Sequence, residues 1–484
     1  MKKNLVIITP DQMRADYLSC YGNRQIGTVQ LDRLANMGVT FEQCYCAAPL
    51  CAPSRISFAT STYLSEHNHR NYWSSVSPDV PNLPQCLHRH GYTTGMFGKN
   101  HLFHYDRLPE VWDELDEICL GNYDGHPLYK HSFSSFTLEK DHPFNITGRL
   151  TDEAIDFIDR RRDEPFFVWI NYQDPHPAFT CPEPYDTMFD PAQVELPKRA
   201  YSGSPEPDRN AVWRAHSEMD LCTEADVREA IAHYMGQIRY VDDSIGRILD
   251  ALEERKLMER TVILFFSDHG ELLGDYGMFH KIPVFYDCLT RIPAIVYAPG
   301  VTKGGSRFRG MVEEIDLAPT LLRLLDMPVP ETMCGNALDE ALRCGDDSGK
   351  KDVLCEAGGG APTWHKPDRT LRLLAPHAPT SFGPGAMLRT ARYKLCIYGD
   401  DNGELFDMEA DPLECCNLYT DPVFAAVRQT LTLRLLQRTL SVKVRDTGMV
   451  DWSGTDYPQD VRFEPLETSG YVTTDIRLQS GDEK

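Results

Sequence analysis

The chain has 484 residues, 42% hydrophobic and 10% aromatic, enough for one large domain and a smaller one. Its 49 Lys and Arg against 72 Asp and Glu leave a net charge of −23, which argues against nucleic acid and anionic membrane surfaces as general partners. An anionic substrate would be repelled at long range, so a site for one must be locally positive.

In chain order, Lys2 and Lys3 precede an apolar run over residues 5–8 that Pro10, Asp11 and Gln12 end, well short of a signal-peptide core. No other apolar stretch approaches the length of a membrane span. The fifteen cysteines are scattered and odd in number, and they lack a paired C-x-x-C framework. These features predict a cytoplasmic chain of reduced thiols with no membrane partner.

Apolar runs at 5–8, 93–97, 166–170, 262–266 and 294–297 read as buried strands. Helical patterns lie between them. Leu31, Leu34 and Met37 share one face, as do Ala154, Ile155 and Ile158. The longest pattern spans about 224–255, with Val227, Ile231, Ile238, Val241, Ile245, Ile248 and Leu252 as its stripe. Alternation of strand and helix predicts an α/β fold with a large, mainly parallel sheet flanked by helices. Gly, Pro and Thr become dense over 358–385. Short antiparallel strands at 386–390, 393–398 and 404–408 and a helix over 423–440 then predict a small α+β subdomain. The expected division is a catalytic domain over 1–375, the subdomain over 376–441 and an irregular tail over 442–484.

Polar residues follow the predicted strands in a pattern. Asp11 and Gln12 follow the first, Lys99 and His101 the second, Asp174 and His176 the third, and Asp268 and His269 the fourth. Ligand-binding groups of open parallel sheets gather at the carboxyl ends of strands, so these loops point to one site. Asp11, Asp268 and His269 make a plausible set for one divalent cation. Oxygen ligands favour Ca²⁺ or Mg²⁺, and the imidazole adds weight to Mn²⁺. The same pairs also suit caps of the loops and helices that follow. Pro53 suits the first turn of a helix, which would put Cys51 at a helix N-terminus with Arg55 one turn on. On spacing alone, Cys51 reads equally as a buried structural cysteine.

The run Cys51-Ala52-Pro53-Ser54-Arg55 resembles the C-x-P-S-R signature of the type I, formylglycine-dependent sulfatases of the alkaline phosphatase superfamily. Asp11, Gly98-Lys99-Asn100-His101, Pro175-His176-Pro177, Ser267-Asp268-His269-Gly270 and Lys281 follow the family's order, and the resemblance covers roughly residues 4–417. The Asp11-Gln12 and Asp268-His269 pairs are nearest to choline sulfatases and phosphonate monoester hydrolases, whereas Lys99-x-His101 is typical of true sulfatases.

The resemblance implies that a dedicated maturation enzyme oxidises Cys51 to formylglycine, whose hydrate is the nucleophile. It implies a cation, Ca²⁺ favoured, held by Asp11, residue 51, Asp268 and His269. Lys99 and Lys281 would neutralise sulfate oxygens, Arg55 would orient the diol, His176 or Lys281 would protonate the leaving oxygen, and His101 would drive release of sulfate. Asn71 is a candidate substrate contact by its distance past the signature. Tyr72, Trp73, Phe103, His104, Tyr105 and Trp364 lie in or near candidate loops. The expected substrate is a sulfate monoester of a small sugar or other small alcohol. A phosphonate monoester or phosphodiester hydrolase is the alternative, and a silent binder of sulfated sugars is a third. A homo-oligomer is compatible with the chain.

Overall fold

A computed structural model describes residues 2–71, 74–118, 128–139, 145–358, 364–365, 371–372, 382–399, 402–441, 450–451 and 475–478. Five strands form the parallel centre of a ten-stranded sheet, in the order Thr261–Phe266, Asn4–Ile8, Phe166–Asn171, Thr93–Gly98 and Glu114–Ile118. Beyond Thr261–Phe266, Ala294–Tyr297 runs antiparallel, then comes Val39–Tyr45, which pairs in parallel with Ser306–Glu313.

The central strands are buried along their whole length, as near-continuous apolar runs require when both sheet faces are covered. The pleat divides them between two cores. Leu5 and Ile7 face the side that holds Ile56, Leu83 and Leu317, on helices Cys51–Thr60, Leu83–Arg89 and Leu317–Leu324. Val6 and Ile8 face the side covered by Val29–Met37, Ile146–Arg161 and Glu224–Glu254. The long helix buries that stripe from Ile231 to Leu252, with Val227 half-buried, and ends one residue before the expected boundary.

A four-stranded antiparallel sheet follows in the order Asp352–Ala357, Gly385–Thr390, Tyr393–Tyr398 and Glu404–Asp407. Its first strand precedes the Gly/Pro/Thr-dense stretch, on the other side of the boundary drawn at 375. Local composition does not reveal this pairing, because the partners are joined across that stretch. Helix Ala425–Ser441 packs on the sheet through Leu431 and Leu435. Much of 358–385 lies outside the described residues, as do Tyr72 and Trp73. Residues 442–484 read as irregular, yet Val450–Asp451 pairs with Ser74–Ser75, and Asp475–Leu478 adds an antiparallel edge to Glu114–Ile118. A two-residue strand is too short to carry a periodic signal, and Asp475–Leu478 has no apolar run to mark it. Among the described residues no helix is long and apolar enough to cross a membrane.

One buried carboxylate joins two helices of this fold. Helix Val29–Met37 has no side-chain cap of its own at Thr28. Asp242, on the long helix, accepts instead from the Gln30 amide at 3.1 Å and the Leu31 amide at 2.8 Å. Burial pushes its carboxyl up to about 6 against those two bonds. The folded state therefore holds this proton more tightly than the unfolded chain. That contribution to stability is present below the unfolded pKa and is lost as pH rises toward about 6. Asp242→Asn keeps an acceptor but has no charge to bury, so its melting temperature should match wild type at pH 4 and exceed it at pH 8. Asp242→Ala should lose about 1 kcal/mol of cap stability at pH 4, and the loss should shrink at pH 8, where the wild type itself bears the buried charge. Thermal melts at the two pH values check both expectations.

Candidate active site

Parallel alignment brings four strand ends to one edge of the sheet, and backbone bonds extend the pairing into the loops. Thr9 N donates to Ile170 O at 2.8 Å, and Asp11 N to Tyr172 O at 3.0 Å. Two glycines allow the close approach. Gly98 has φ +110, and a Cβ there would lie 2.0 Å from the Asn171 carbonyl oxygen; a Cβ on Gly270 would lie 1.8 Å from that of Cys288. Helix Cys51–Thr60, every residue buried, aims its N-terminus at this edge, after an extended Leu50 and with Pro53 in the first turn.

Cys51 Sγ lies 3.1 Å from His269 Nε2, 3.5 Å from Asp11 Oδ1 and 3.6 Å from Lys99 Nζ. Asp11 Oδ2 accepts from Lys99 Nζ at 2.6 Å and lies 3.5 Å from Arg55 Nη2. Arg55 is 0% exposed. Its Nε donates to Asp268 Oδ2 at 2.9 Å, and its Nη1 to Lys99 O at 3.0 Å and Asn171 Oδ1 at 2.7 Å. Asp268 Oδ1 accepts from the amides of Gln12 and His269, each at 3.0 Å.

Asp11, Cys51, Asp268 and His269 offer ligand atoms within 4.8 Å of one another, all buried. The second nitrogen of His269 fixes its tautomer. Nδ1 lies 2.9 Å from the Gly270 carbonyl, which can only accept, so Nδ1 carries hydrogen and Nε2 is the nitrogen that faces the cluster and would give its lone pair to a cation. Two carboxylates and one imidazole so oriented fit a divalent cation.

The charges reshape one another. Burial opposes ionisation of Asp11, but Lys99, Lys281 and Arg55 together hold its carboxyl well below the usual range. Burial and Asp11 push the Cys51 thiol up, yet Lys281, Lys99 and His269 outweigh them and leave it lowered. His101 is held well below its ordinary value by burial, then by Lys99 and Arg55. His176 is lowered in the same way by burial, Lys281 and Lys99. Both imidazoles are therefore neutral in the free protein. The His176 Nδ1 lies 2.6 Å from Pro177 O, which leaves Nε2 as its lone-pair nitrogen.

Lys281 reaches this cluster from a distant loop and donates to Gln12 Oε1, while Gln12 Nε2 donates to Glu271. The Asn71 carbonyl accepts from Ser74 Oγ at 3.4 Å, and Val76 N donates to Leu102 O at 2.9 Å, beside His101. Asp174 serves the scaffold, accepting from Thr147 Oγ1 at 2.6 Å and Gln237 Nε2 at 3.1 Å.

Sequence reading passed over Asn171, Ser54, Glu271 and Glu314. Ser54 Oγ lies 2.6 Å from Asp268 O and 2.7 Å from Glu314 Oε1. A hydroxyl has one hydrogen, and a carbonyl can only accept. Glu314 therefore completes the pair as a carboxylic acid, consistent with burial pushing its pKa well above the usual range. For Ser54 the signature itself was the available signal. Nothing local marks Asn171 or Glu314.

A sulfatase family profile matches residues 3–327. The chain is 29% identical to an arylsulfatase of Clostridium perfringens, over 86% of this chain and 90% of that protein. It is 26% identical to an N-acetylglucosamine-6-O-sulfatase of Bacteroides thetaiotaomicron, over 90% of this chain and 86% of that one. Its fold is similar to the phosphonate monoester hydrolase SpPMH from Silicibacter pomeroyi, with a TM-score of 0.74, 25% identity and coverage of 91% and 96%. With more than half of its length matched by the family profile, and with the alkaline phosphatase-like sheet and buried site just described, this chain belongs to the sulfatase family and is a sulfuric ester hydrolase.

Proposed function

We propose that the protein hydrolyses sulfate monoesters of a small sugar or other small cytoplasmic alcohol, with residue 51 matured to formylglycine. One observation carries the reading: Arg55, Lys99 and Lys281 surround the buried Cys51 thiol at a helix N-terminus, in a chain whose net charge is −23. Positive charge concentrated against that background suits an anionic ester.

The Cys51 sulfur stands where a hydroxyl oxygen of the formylglycine hydrate would lie. A divalent cation held by Asp11, residue 51, Asp268 and His269, with Ca²⁺ favoured over Mg²⁺ and Mn²⁺, would supply Lewis acidity that lowers the pKa of this hydroxyl and offsets sulfate charge. The ionised hydroxyl attacks sulfur in line, and the sulfur–alcohol bond breaks. Lys99 and Lys281 neutralise the equatorial oxygens. Arg55, fixed by Asp268, Asn171 and the Lys99 carbonyl, keeps the Asp268 ligand and the helix start in register. His176 protonates the departing oxygen. Its neutral state in the free protein requires the arriving sulfate anion to raise its pKa first. His101, kept neutral by burial and by its cationic neighbours, then takes the proton of the remaining hydroxyl. The carbon–oxygen bond to sulfate breaks and the aldehyde returns.

The family likeness to the N-acetylglucosamine-6-O-sulfatase supports a sulfated sugar. The fold likeness to a phosphonate monoester hydrolase keeps phosphonates and phosphodiesters as the second reading. The Lys99-x-His101 loop, which by resemblance is typical of true sulfatases, favours sulfate, and Lys99 Nζ stands 3.6 Å from Cys51 Sγ. A silent sugar binder is less well supported, since the nucleophile and metal-type ligands are all in place.

Protein coexpressed with a formylglycine-generating enzyme should hydrolyse aryl sulfate faster than matched phosphonate and diester substrates, and Cys51→Ala should abolish turnover. Dominant phosphonate turnover would move the assignment to the second reading. His101→Ala should accumulate a sulfated enzyme detectable by intact mass spectrometry; a slow but unmodified variant would reassign that histidine. His176→Ala should lose about a hundredfold with alkyl sulfates and far less with nitrophenyl sulfate, whose leaving group needs no proton. Equal losses on both would give the acid role to Lys281.

A further inference from the structure

The loop after strand Thr93–Gly98 carries His101 in a left-handed conformation, with φ +44. A residue with a side chain stays there only when its surroundings hold it. The residues on either side are tied down. Lys99 N donates to Asn171 O at 3.1 Å, and Lys99 O accepts from Arg55 Nη1 at 3.0 Å. Past His101, Leu102 O accepts from Val76 N at 2.9 Å, and Phe103 forms a parallel bridge with Val76.

The Asn100 side chain closes these two fixed ends on each other. Its Nδ2 donates to Phe103 O at 2.6 Å, and its Oδ1 accepts from Phe103 N at 3.2 Å. A carbonyl only accepts and a backbone amide only donates, so one orientation of the Asn100 amide satisfies both. The buried Glu117, paired with Gly98 on the neighbouring strand, accepts a further bond from the same side chain. His101 lies inside the loop so closed. Lys99, Arg55, Asp11 and Lys281 all act on its imidazole, which places the ring against the cluster around Cys51. We propose that Asn100 is a positioning residue: by bridging both backbone groups of Phe103 it holds His101 in the left-handed turn from which the imidazole reaches residue 51. The inference rests on the proposed role of His101 in releasing sulfate. In that step the imidazole takes the proton of the free hydroxyl, that oxygen closes the carbonyl, and sulfate leaves with the electrons of the broken carbon–oxygen bond. The sulfated enzyme forms before this step and does not need His101.

A displaced His101 should therefore slow the second step and spare the first, whereas general damage to the site slows both. Wild type, Asn100→Ala, Asn100→Asp, His101→Ala and the double variant Asn100→Ala/His101→Ala would be compared as matured protein of equal formylglycine content on nitrophenyl sulfate. The readings are kcat, KM, melting temperature and intact mass during turnover. Asn100→Asp keeps size and the acceptor for Phe103 N but sets an oxygen against Phe103 O, so it tests the bridge without opening a cavity. The expected result for both single Asn100 variants is a kcat reduced about a hundredfold, with KM reduced alike and kcat/KM nearly unchanged. Sulfated enzyme should accumulate in them as in His101→Ala, and the double variant should be no slower than His101→Ala. An unchanged kcat in the Asn100 variants, or a lowered kcat/KM with no sulfated enzyme, overturns the positioning role when His101→Ala does accumulate it, and leaves Asn100 a packing residue. Absence of sulfated enzyme in His101→Ala removes the role of that histidine, and the positioning role falls with it.

Discussion

A guanidinium sealed from water at the end of an apolar sheet depends on partners inside the protein, and Arg55 draws its hydrogen bonds from three separate segments. Asp268, the Lys99 carbonyl and Asn171 take its hydrogen bonds, and Asp11 stands at ion-pair distance. Those groups come from the ends of four adjacent parallel strands. Breaking a buried charge set by removing one member leaves an uncompensated ion, at a cost of about 3–5 kcal/mol. The register of the loops, the place of helix Cys51–Thr60 and the approach of Asp11 and Asp268 to Cys51 all depend on keeping that set together.

The rest of the scaffold can be understood as what makes such a cluster tolerable. The central strands alternate their apolar side chains between two cores, and the polar groups of the cluster gather at their carboxyl ends. There the loops can bend. They do so at Gln12, His101 and His280, all in left-handed conformations. A second layer, with Glu314 on Ser54 and Glu271 on Gln12, holds the first in place from outside the reacting region. The small C-terminal sheet adds its own buried ion set, in which Lys394 bonds Glu414 at 2.6 Å and also Asp287, six residues past Lys281. Deep burial and tight pairing thus extend well beyond the atoms near Cys51.

The electrostatics also constrain the timing of protons. In the free protein, burial and neighbouring cations keep His101 and His176 neutral, which suits a base and opposes an acid. An arriving sulfate would reverse the local field. The acid would then be created by its own substrate, a form of selectivity for anionic esters that needs no additional contact.

Much of the molecule was legible in one dimension. Buried strands, the stripe of the long helix and the polar residues after each strand follow from local patterning, because a pleat and a helical turn impose periods on the sequence that forms them. The signature from Cys51 to Arg55 was readable because its parts are contiguous. The structure alone decided that Lys281 meets Gln12, 269 residues earlier in the chain, and that Glu271 lies behind both. It also decided that Asn171 and Glu314 serve Arg55 and Ser54, and that the strand at Asp352–Ala357 belongs with those after Gly385. These contacts have no period and no fixed spacing. They exist because chain segments far apart in sequence must satisfy one another's buried charges and hydrogen bonds, and only the folded arrangement determines which ones meet.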